Sequence, residues 1–362
     1  VKIYGAGSIG NHLAFACRSQ GWAVTICDTD EEALNRTREQ IYPARYGQWD
    51  TGIELAAPEQ VGDRKFDLVI IGTPPDSHIE LALSELDNGA GLPRVILIEK
   101  PLCGPSLERC DELLQKARDS GVMVCVGYNH VLTRNSVQAD ELIRAGRLGD
   151  PATIAVEWVE HWGGIFAAHP WLDGPGDSYL GRAVSGGGAC GEHSHGINIW
   201  QHFAHQAGAG RIVEVSAVMD NVSGAGVDYD RIAQVSVVTE TGLTGFIVQD
   251  VVTHPPRKRV RIQGEHGAMT WEANRDSSHD AVGFWNGDSW DEQLIAKTRK
   301  DDFSGEISHI GDLCSGAVTE TPISLERGLE TMMVIAAAHR SAQQKRSVTI
   351  DYSAGFNANA IK

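Results

Sequence analysis

At 362 residues the chain is long for a single core, so two domains are expected. Its 22% charged and 42% hydrophobic residues are ordinary for a globular protein. The net charge of −17 excludes the basic footprint that nucleic acid or an anionic membrane surface requires.

The elements follow in chain order. Apolar residues from Val1 lead into a glycine loop, Gly5, Gly7 and Gly10, in GxGxxG spacing. Ile9, Leu13, Ala16 and Cys17 recur at helical spacing, Gly21 ends the helix, and Trp22–Cys27 reads as a second strand closing on Asp28. Together they form a βαβ dinucleotide fingerprint. Gly5 allows the tight turn, Gly7 lets backbone approach a pyrophosphate, and Gly10 lets the helix pack on the sheet. Ser8 and Ile9 open the helix, whose N–H groups favour phosphate. Asp28 is expected to accept from a ribose 2′-OH. Asp30, Glu31 and Glu32 follow it with no arginine before Arg36, a setting that selects NAD over NADP.

A helix is expected over Asp30–Gln40, then a less regular polar stretch near 43–63. Strands are expected at 67–72, 93–99 and 122–126. Helices are expected at His78–Leu86 and at Leu107–Ala117, the latter capped by Ser106. Repeated βα units predict a doubly wound parallel sheet over residues 1–126 with ligand at the strand C-termini. From 127 to 362 the rhythm changes. Strand-like runs at 153–158, 212–219, 232–239, 244–250 and 259–263, with a turn signal at Thr239–Gly242, imply an α+β domain with antiparallel pairing. Residues 160–188 form a long Gly- and Pro-rich segment with aromatics at Trp162, Phe166, Trp171 and Tyr179, expected to be functional.

Three motifs end successive strands of the first half: Thr73, Pro74 and Pro75 with His78; Glu99, Lys100 and Pro101; and Gly127, Tyr128, Asn129 and His130. A lysine closing a buried apolar strand needs a ligand or an ion-pair partner, and Glu99 is the structural alternative. With the glycine loop, the run Gly186–Gly188 and the segment from Pro322 to Val348, these motifs carry a resemblance over nearly the whole chain. The sequence resembles the glucose–fructose oxidoreductase/inositol dehydrogenase (Gfo/Idh/MocA) family of NAD(P)-dependent oxidoreductases. The resemblance implies a Rossmann domain followed by an open, mostly antiparallel sheet that supports substrate and builds a homodimer or homotetramer. It also implies Gly5, Gly7, Ser8, Ile9, Gly10, Asp28, Thr73, Pro74, His78, Glu99, Lys100 and Asn129 at the cofactor.

The family's substrate motif is a glycine run, an Asp, three residues and a His. This chain departs from it, reading Gly186-Gly-Gly-Ala-Cys-Gly-Glu192-His193-Ser-His195-Gly-Ile-Asn198. Counting from the glycines, Glu192 replaces the Asp and the His falls at Gly196. The ending His195-Gly-Ile-Asn198 favours His195, with His193 as the alternative. Three residues apart, Glu192 and His195 are expected to share one face of a helix. Oxidising a secondary alcohol needs a base for the hydroxyl proton, and imidazole, with an unperturbed pKa of ~6.5, suits this. Lys100 would stabilise the developing alkoxide, and Glu192 would orient the imidazole.

Tyr128, His193 and Trp171 are further substrate candidates, each weighed against plain core packing. His193, His195, His202 and His205 are too widely spaced, and lack cysteine partners, so no metal is expected. Arg257, Arg259 and Arg261 share one face of a strand, read as a solvated sheet edge rather than a phosphate site.

The expected activity is oxidation of a secondary hydroxyl of a sugar, cyclitol or derivative, with a carbohydrate-like small molecule as partner. An NAD-dependent glycoside hydrolase of the same family and a non-catalytic NAD-binding regulator are the rivals. The seven cysteines, at 17, 27, 103, 110, 125, 190 and 314, lack CxxC spacing and fall mostly in apolar patterns, as expected of reduced thiols. No run approaches ~18 apolar residues, and a strand is expected from Val1, so neither a membrane span nor a signal peptide is expected. A cytoplasmic location is.

Overall fold

The computed structural model describes residues 1–62, 64–88, 91–167 and 169–362. Residues 63 and 168, within the two irregular stretches expected from sequence, lie outside it. The chain divides into two compact units. One is Val1–Leu102, Asp111–Asn129 and Arg299–Leu325; the other is Cys103–Cys110, His130–Thr298 and Glu326–Lys362.

The first unit holds six strands: β1 (Lys2–Tyr4), β2 (Val24–Cys27), β3 (Ile53–Ala56), β4 (Leu68–Ile71), β5 (Val95–Ile98) and β6 (Met123–Val126). All pair in parallel in the order β3-β2-β1-β4-β5-β6. The order reverses between β1 and β4, the switch point at which doubly wound sheets bind ligand. Every residue of β4 and β5 is buried, the physical reason they read as continuous apolar runs.

The helices are α1 (Ser8–Ser19), α2 (Glu31–Arg36), α3 (Tyr42–Tyr46), α4 (Pro58–Val61), α5 (His78–Leu86) and α6 (Cys110–Ser120). Three details differ from the sequence reading. The polar stretch after residue 43 contains β3, the edge strand of the sheet. The helix begun at Asp30 continues through a π-helical turn, Thr37–Ile41, into α3. Leu107 and Arg109 both take φ of 58°, so α6 starts at Cys110 rather than Leu107.

The second unit is a nine-stranded sheet: β7 (Pro151–Val159), β8 (Ile212–Gly224), β9 (Val227–Thr239), β10 (Thr244–Asp250), β11 (Arg257–Gly264), β12 (Ala268–Ala273), β13 (His279–Trp285), β14 (Trp290–Ala296) and β15 (Val348–Thr349). Its order is β14-β13-β12-β11-β7-β10-β9-β8-β15. Pairing is antiparallel except between β7 and β10. The turn after Thr239 closes the β9–β10 hairpin, with Gly242 at φ 90°.

Register places Gln249, Trp158 and Lys258 side by side on one face. That face carries α7 (Arg134–Arg144), the short α9 (Gly188–Glu192) and α10 (His195–Gln206); the short α8 (Gly163–Ala167) lies in the chain between β7 and α9. Trp200 of α10 is fully buried and donates from its indole to the Ile154 carbonyl at 2.9 Å. The opposite face presents Glu157, Arg259 and Glu272 in one row. After β14 the chain returns to the first unit as α11 (Arg299–Ser315), which packs on α1, and α12 (Leu325–Gln344) rejoins the second. Among the described residues no helix is long and apolar enough to cross a membrane.

Candidate active site

In the first unit the glycine loop runs from β1 into α1. Gly5 has φ of 101°, and a Cβ there would lie 2.6 Å from the Gly72 carbonyl oxygen. A Cβ at Gly10 would overlap the Gly5 carbonyl, whereas nothing lies within 4 Å of the position a Gly7 Cβ would take. Gly7 therefore keeps backbone open to a ligand, and no side chain caps α1. The loop is braced from behind. Asn11 donates to the Gly7 carbonyl at 2.8 Å and to the Thr37 hydroxyl at 3.1 Å, and Thr37 donates to the Ala6 carbonyl at 2.5 Å. With those carbonyls turned inward, a dinucleotide fits this cradle.

Asp28 ends β2 beside the loop, accepting from Ala6 N at 2.8 Å and from Asp30 N at 2.9 Å. Thr73 follows β4, its hydroxyl 2.7 Å from that of Ser77, and Pro74 precedes a 3-10 turn. His78, expected to meet the cofactor, is only 1% exposed. Its ring nitrogens face the carbonyls of Thr73 at 2.7 Å and Pro101 at 3.1 Å, and burial pushes its pKa down to about 4. The neutral ring ties two strand-end loops together. It is a brace rather than a ligand contact.

Lys100 follows β5 and is half-buried. Glu99, 8% exposed, lies beneath Gly127, where a Cβ would come within 3.0 Å of its carboxylate. Asn129 is buried, and Tyr128 is wholly enclosed, so it is a core aromatic and not a surface for substrate. Glu306 of α11 had no sequence signal. It is 0% exposed, among the described residues neither carboxylate oxygen has a hydrogen-bond partner, and burial with the charges of Glu99 and Asp302 raises its pKa well above normal.

In the second unit the glycine run opens α9. Asp230 on β9 is fully buried, and its Oδ2 accepts from Cys190 N at 2.7 Å, with a further bond from the Ala189 backbone. A Cβ at Gly188, whose φ is 78°, would overlap this carboxylate. Burial raises the Asp230 pKa to about 7, against the backbone bonds that lower it. Its Oδ1 lies 3.9 Å from His339 Nε2 on α12.

α9 ends at Glu192 and α10 begins at His195, so these two residues are on different helices and do not share one helical face. Glu192 accepts from the Tyr179 hydroxyl at 2.9 Å. His193 is 4% exposed, with Nε2 3.3 Å from the Glu160 carbonyl, and its own carbonyl accepts from Gln249. His195 is half-buried. Its ring stacks on Trp158 (centroids 5.6 Å apart, 26°) and meets His130 edge-on at 4.7 Å. A side chain at 196 would meet Trp158 at 2.9 Å, so the register that puts the histidine at Gly196 is sterically closed.

Trp171 is 38% exposed and packs edge-on against His169, while Trp162 belongs to a small core with Leu180, Ala189 and Val251. His202 pairs with Asp140 at 2.8 Å and His205 with Glu330 at 2.7 Å. β11 is paired on both sides, with β12 and β7, so its arginines stand on an open sheet face and not at the expected edge: Arg257 pairs with Glu157 and Arg259 with Glu272, each at 3.2 Å. Lys258, one residue along, points the other way. It pairs with Glu160 at 2.7 Å, 5.7 Å from the Trp158 ring centre.

A family model described as an oxidoreductase family with an NAD-binding Rossmann fold matches residues 1–128, and one for the GFO/IDH/MocA C-terminal domain matches residues 136–270. The chain belongs to the GFO/IDH/MocA family. Scyllo-inositol 2-dehydrogenase (NAD(+)) of Bacillus subtilis is 30% identical over 118 residues, 30% of this chain and 33% of that one. A glycosyl hydrolase family 109 protein of Shewanella pealeana is 25% identical over 158 residues, 41% of this chain and 33% of that one. The match thus spans about a third of the length of these curated relatives.

Aldose–aldose oxidoreductase from Caulobacter crescentus, complexed with glycerol, superposes with TM-score 0.74 at 20% identity, over 96% of this chain and 98% of that one. Levoglucosan dehydrogenase, in complex with NADH and L-sorbose, gives 0.75 at 18%, over 96% and 97%. These two superpositions show a shared fold. Within that fold, motif reading overlooked Asn11, Thr37, Asp230 and Glu306, and it named His130 without its contact to His195. Each acts through contacts distant in sequence, which leave no local pattern.

Proposed function

We propose that the chain is an NAD-dependent dehydrogenase that oxidises a secondary hydroxyl of a sugar, cyclitol or sugar derivative. The observation that carries this reading is the braced glycine loop with Asp28, on the same sheet whose β5 is followed by Glu99 and Lys100. When bound, NAD supplies a hydride acceptor at its nicotinamide ring. The open backbone at Gly7 receives the pyrophosphate, and the Asp28 carboxylate takes the ribose 2′-OH and repels a 2′-phosphate. Thr73, Pro74, Glu99 and Asn129 complete the cofactor's surroundings.

Lys100 donates a hydrogen bond to the reacting oxygen and stabilises negative charge there. His195 accepts the hydroxyl proton, its ring fixed by Trp158 and His130. Glu192, held by Tyr179, favours the protonated imidazole through its charge. His193 is spoken for by the Glu160 carbonyl, which supports His195 as the base.

Assembly through the open sheet face is part of the same proposal. Val218, Phe246 and Leu294 stand on it with 70%, 45% and 55% exposure, and sedimentation should give a dimer or tetramer that Phe246→Lys weakens. Similarity to family 109 hydrolases favours one second reading, transient oxidation during glycoside cleavage. The test is NADH formation across inositols, aldoses and nucleotide sugars, with NADP and an aryl glycoside in parallel. Net NADH with NAD alone supports the dehydrogenase; glycoside cleavage without net NADH supports the hydrolase.

A further inference from the structure

The glycine loop has a cationic neighbour that no motif marks. Arg45 on α3 directs its guanidinium at Ser8, the first residue of α1. Nη1 donates to the Ser8 carbonyl at 2.8 Å, and Nη2 donates to the Ser8 hydroxyl oxygen at 2.7 Å. This fork is held rigidly. Tyr46, the next residue, stacks on Phe15 of α1 with centroids 3.9 Å apart and planes 4° from parallel. The Tyr46 hydroxyl is 2.6 Å from His12 Nδ1, and Tyr42 packs edge-on against Trp49 at 5.3 Å. That aromatic cluster fixes the stretch of α3 that carries Arg45 against α1.

A hydroxyl that accepts from a guanidinium turns its own proton away from it. The Ser8 O–H therefore points its donor capacity outward, polarised by the charge behind it. Two more cations stand nearby in the first turn of α11. Lys300 Nζ is 5.0 Å from the Phe15 ring centre and 5.4 Å from that of Tyr46, and the charge of Arg299 acts on Arg45. That turn also carries Asp301 and Asp302, and Arg299 lies 3.8 Å from Asp302, so it is Arg45 whose hydrogen bonds bring positive charge to the loop that the cofactor reading assigns to phosphate. The acidic residues Asp28, Asp30, Glu31 and Glu32 belong to the ribose end.

We propose that Arg45 is a positioning residue for diphosphate binding, acting through Ser8 on the diphosphate of the dinucleotide. The assignment rests on the cofactor reading of the glycine loop. A purely structural brace would change stability and leave anion affinity alone, so affinity decides.

The experiment is titration of the full chain with NADH by fluorescence, with ADP-ribose by calorimetry and with adenosine by NMR, for wild type, Arg45→Ala and Arg45→Lys. Arg45→Ala is expected to weaken NADH and ADP-ribose about tenfold. Adenosine should be unaffected, and the loss should shrink at high salt. Arg45→Lys should fall between, keeping the charge but losing the fork. Unchanged NADH affinity in Arg45→Ala, or an equal loss for adenosine, would overturn the assignment. If Arg45→Ala does not fold, Ser8→Ala decides, since it should weaken ADP-ribose and spare adenosine; an unchanged ADP-ribose affinity overturns the proposal. Wild type that binds neither NADH nor ADP-ribose would overturn the cofactor reading, and this assignment with it.

Discussion

Asp230 should give the protein a pH-dependent stability that a single substitution removes. Its pKa rises from 3.8 to about 7 because the side chain is enclosed. Between those values the folded chain holds a proton that the unfolded chain has released. Stability therefore falls as pH rises from about 4 to about 7, and is flat above. At ~1.4 kcal/mol per pKa unit the gap corresponds to on the order of 4 kcal/mol. Asp230→Asn keeps an acceptor for Cys190 N and removes the titration. His339, facing Asp230, has the opposite sign: burial lowers its pKa to about 4, so it costs stability as pH falls from about 6.5 toward 4. Both proteins retain His339, so the difference between them reports Asp230 together with its coupling to His339 at 3.9 Å. Urea unfolding from pH 4 to pH 8 should show wild type losing on the order of 4 kcal/mol relative to the variant. Parallel curves would refute the reasoning.

Three further outcomes follow from close contacts and burial. Gly10→Ala should cost ~1–3 kcal/mol in stability by driving a methyl into the Gly5 carbonyl, and should abolish NADH fluorescence enhancement. Gly196→Ala should lift α10 from Trp158 and lower kcat at least about tenfold, with NADH affinity unchanged, as read by steady-state kinetics and titration. Glu306→Gln, isosteric with a protonated carboxyl, should leave the urea midpoint at pH 7 unchanged or raised, whereas Glu306→Ala should lower it by opening a cavity.

The Rossmann half was legible because its strands are buried on both faces and its turns need glycine. β4 and β5 are uninterrupted apolar runs, and Gly5 and Gly10 have contacts only a missing side chain permits. β3 escaped notice because Ile53-Glu-Leu-Ala56 is an edge strand with exposed Glu54, set within polar residues. β14 escaped for the same reason, since Ile295 is its one buried residue. The break between Glu192 and His195 carries no proline, and its nearest glycines, Gly191 and Gly196, sit inside the helices, so a continuous helix was the natural expectation. His130 and Asp230 reach α10 and α9 only through tertiary packing across 65 and 40 residues of chain. No local spacing encodes such distances.

Hydride transfer is the central claim, and deuterium tests it most directly. With NAD and the best panel substrate deuterated at the reacting carbon, the account predicts stoichiometric accumulation of deuterated NADH and ketone. Lys100→Ala and His195→Asn should each suppress it while still binding NADH. Glycoside cleavage without net NADH, or full transfer in Lys100→Ala, would contradict it.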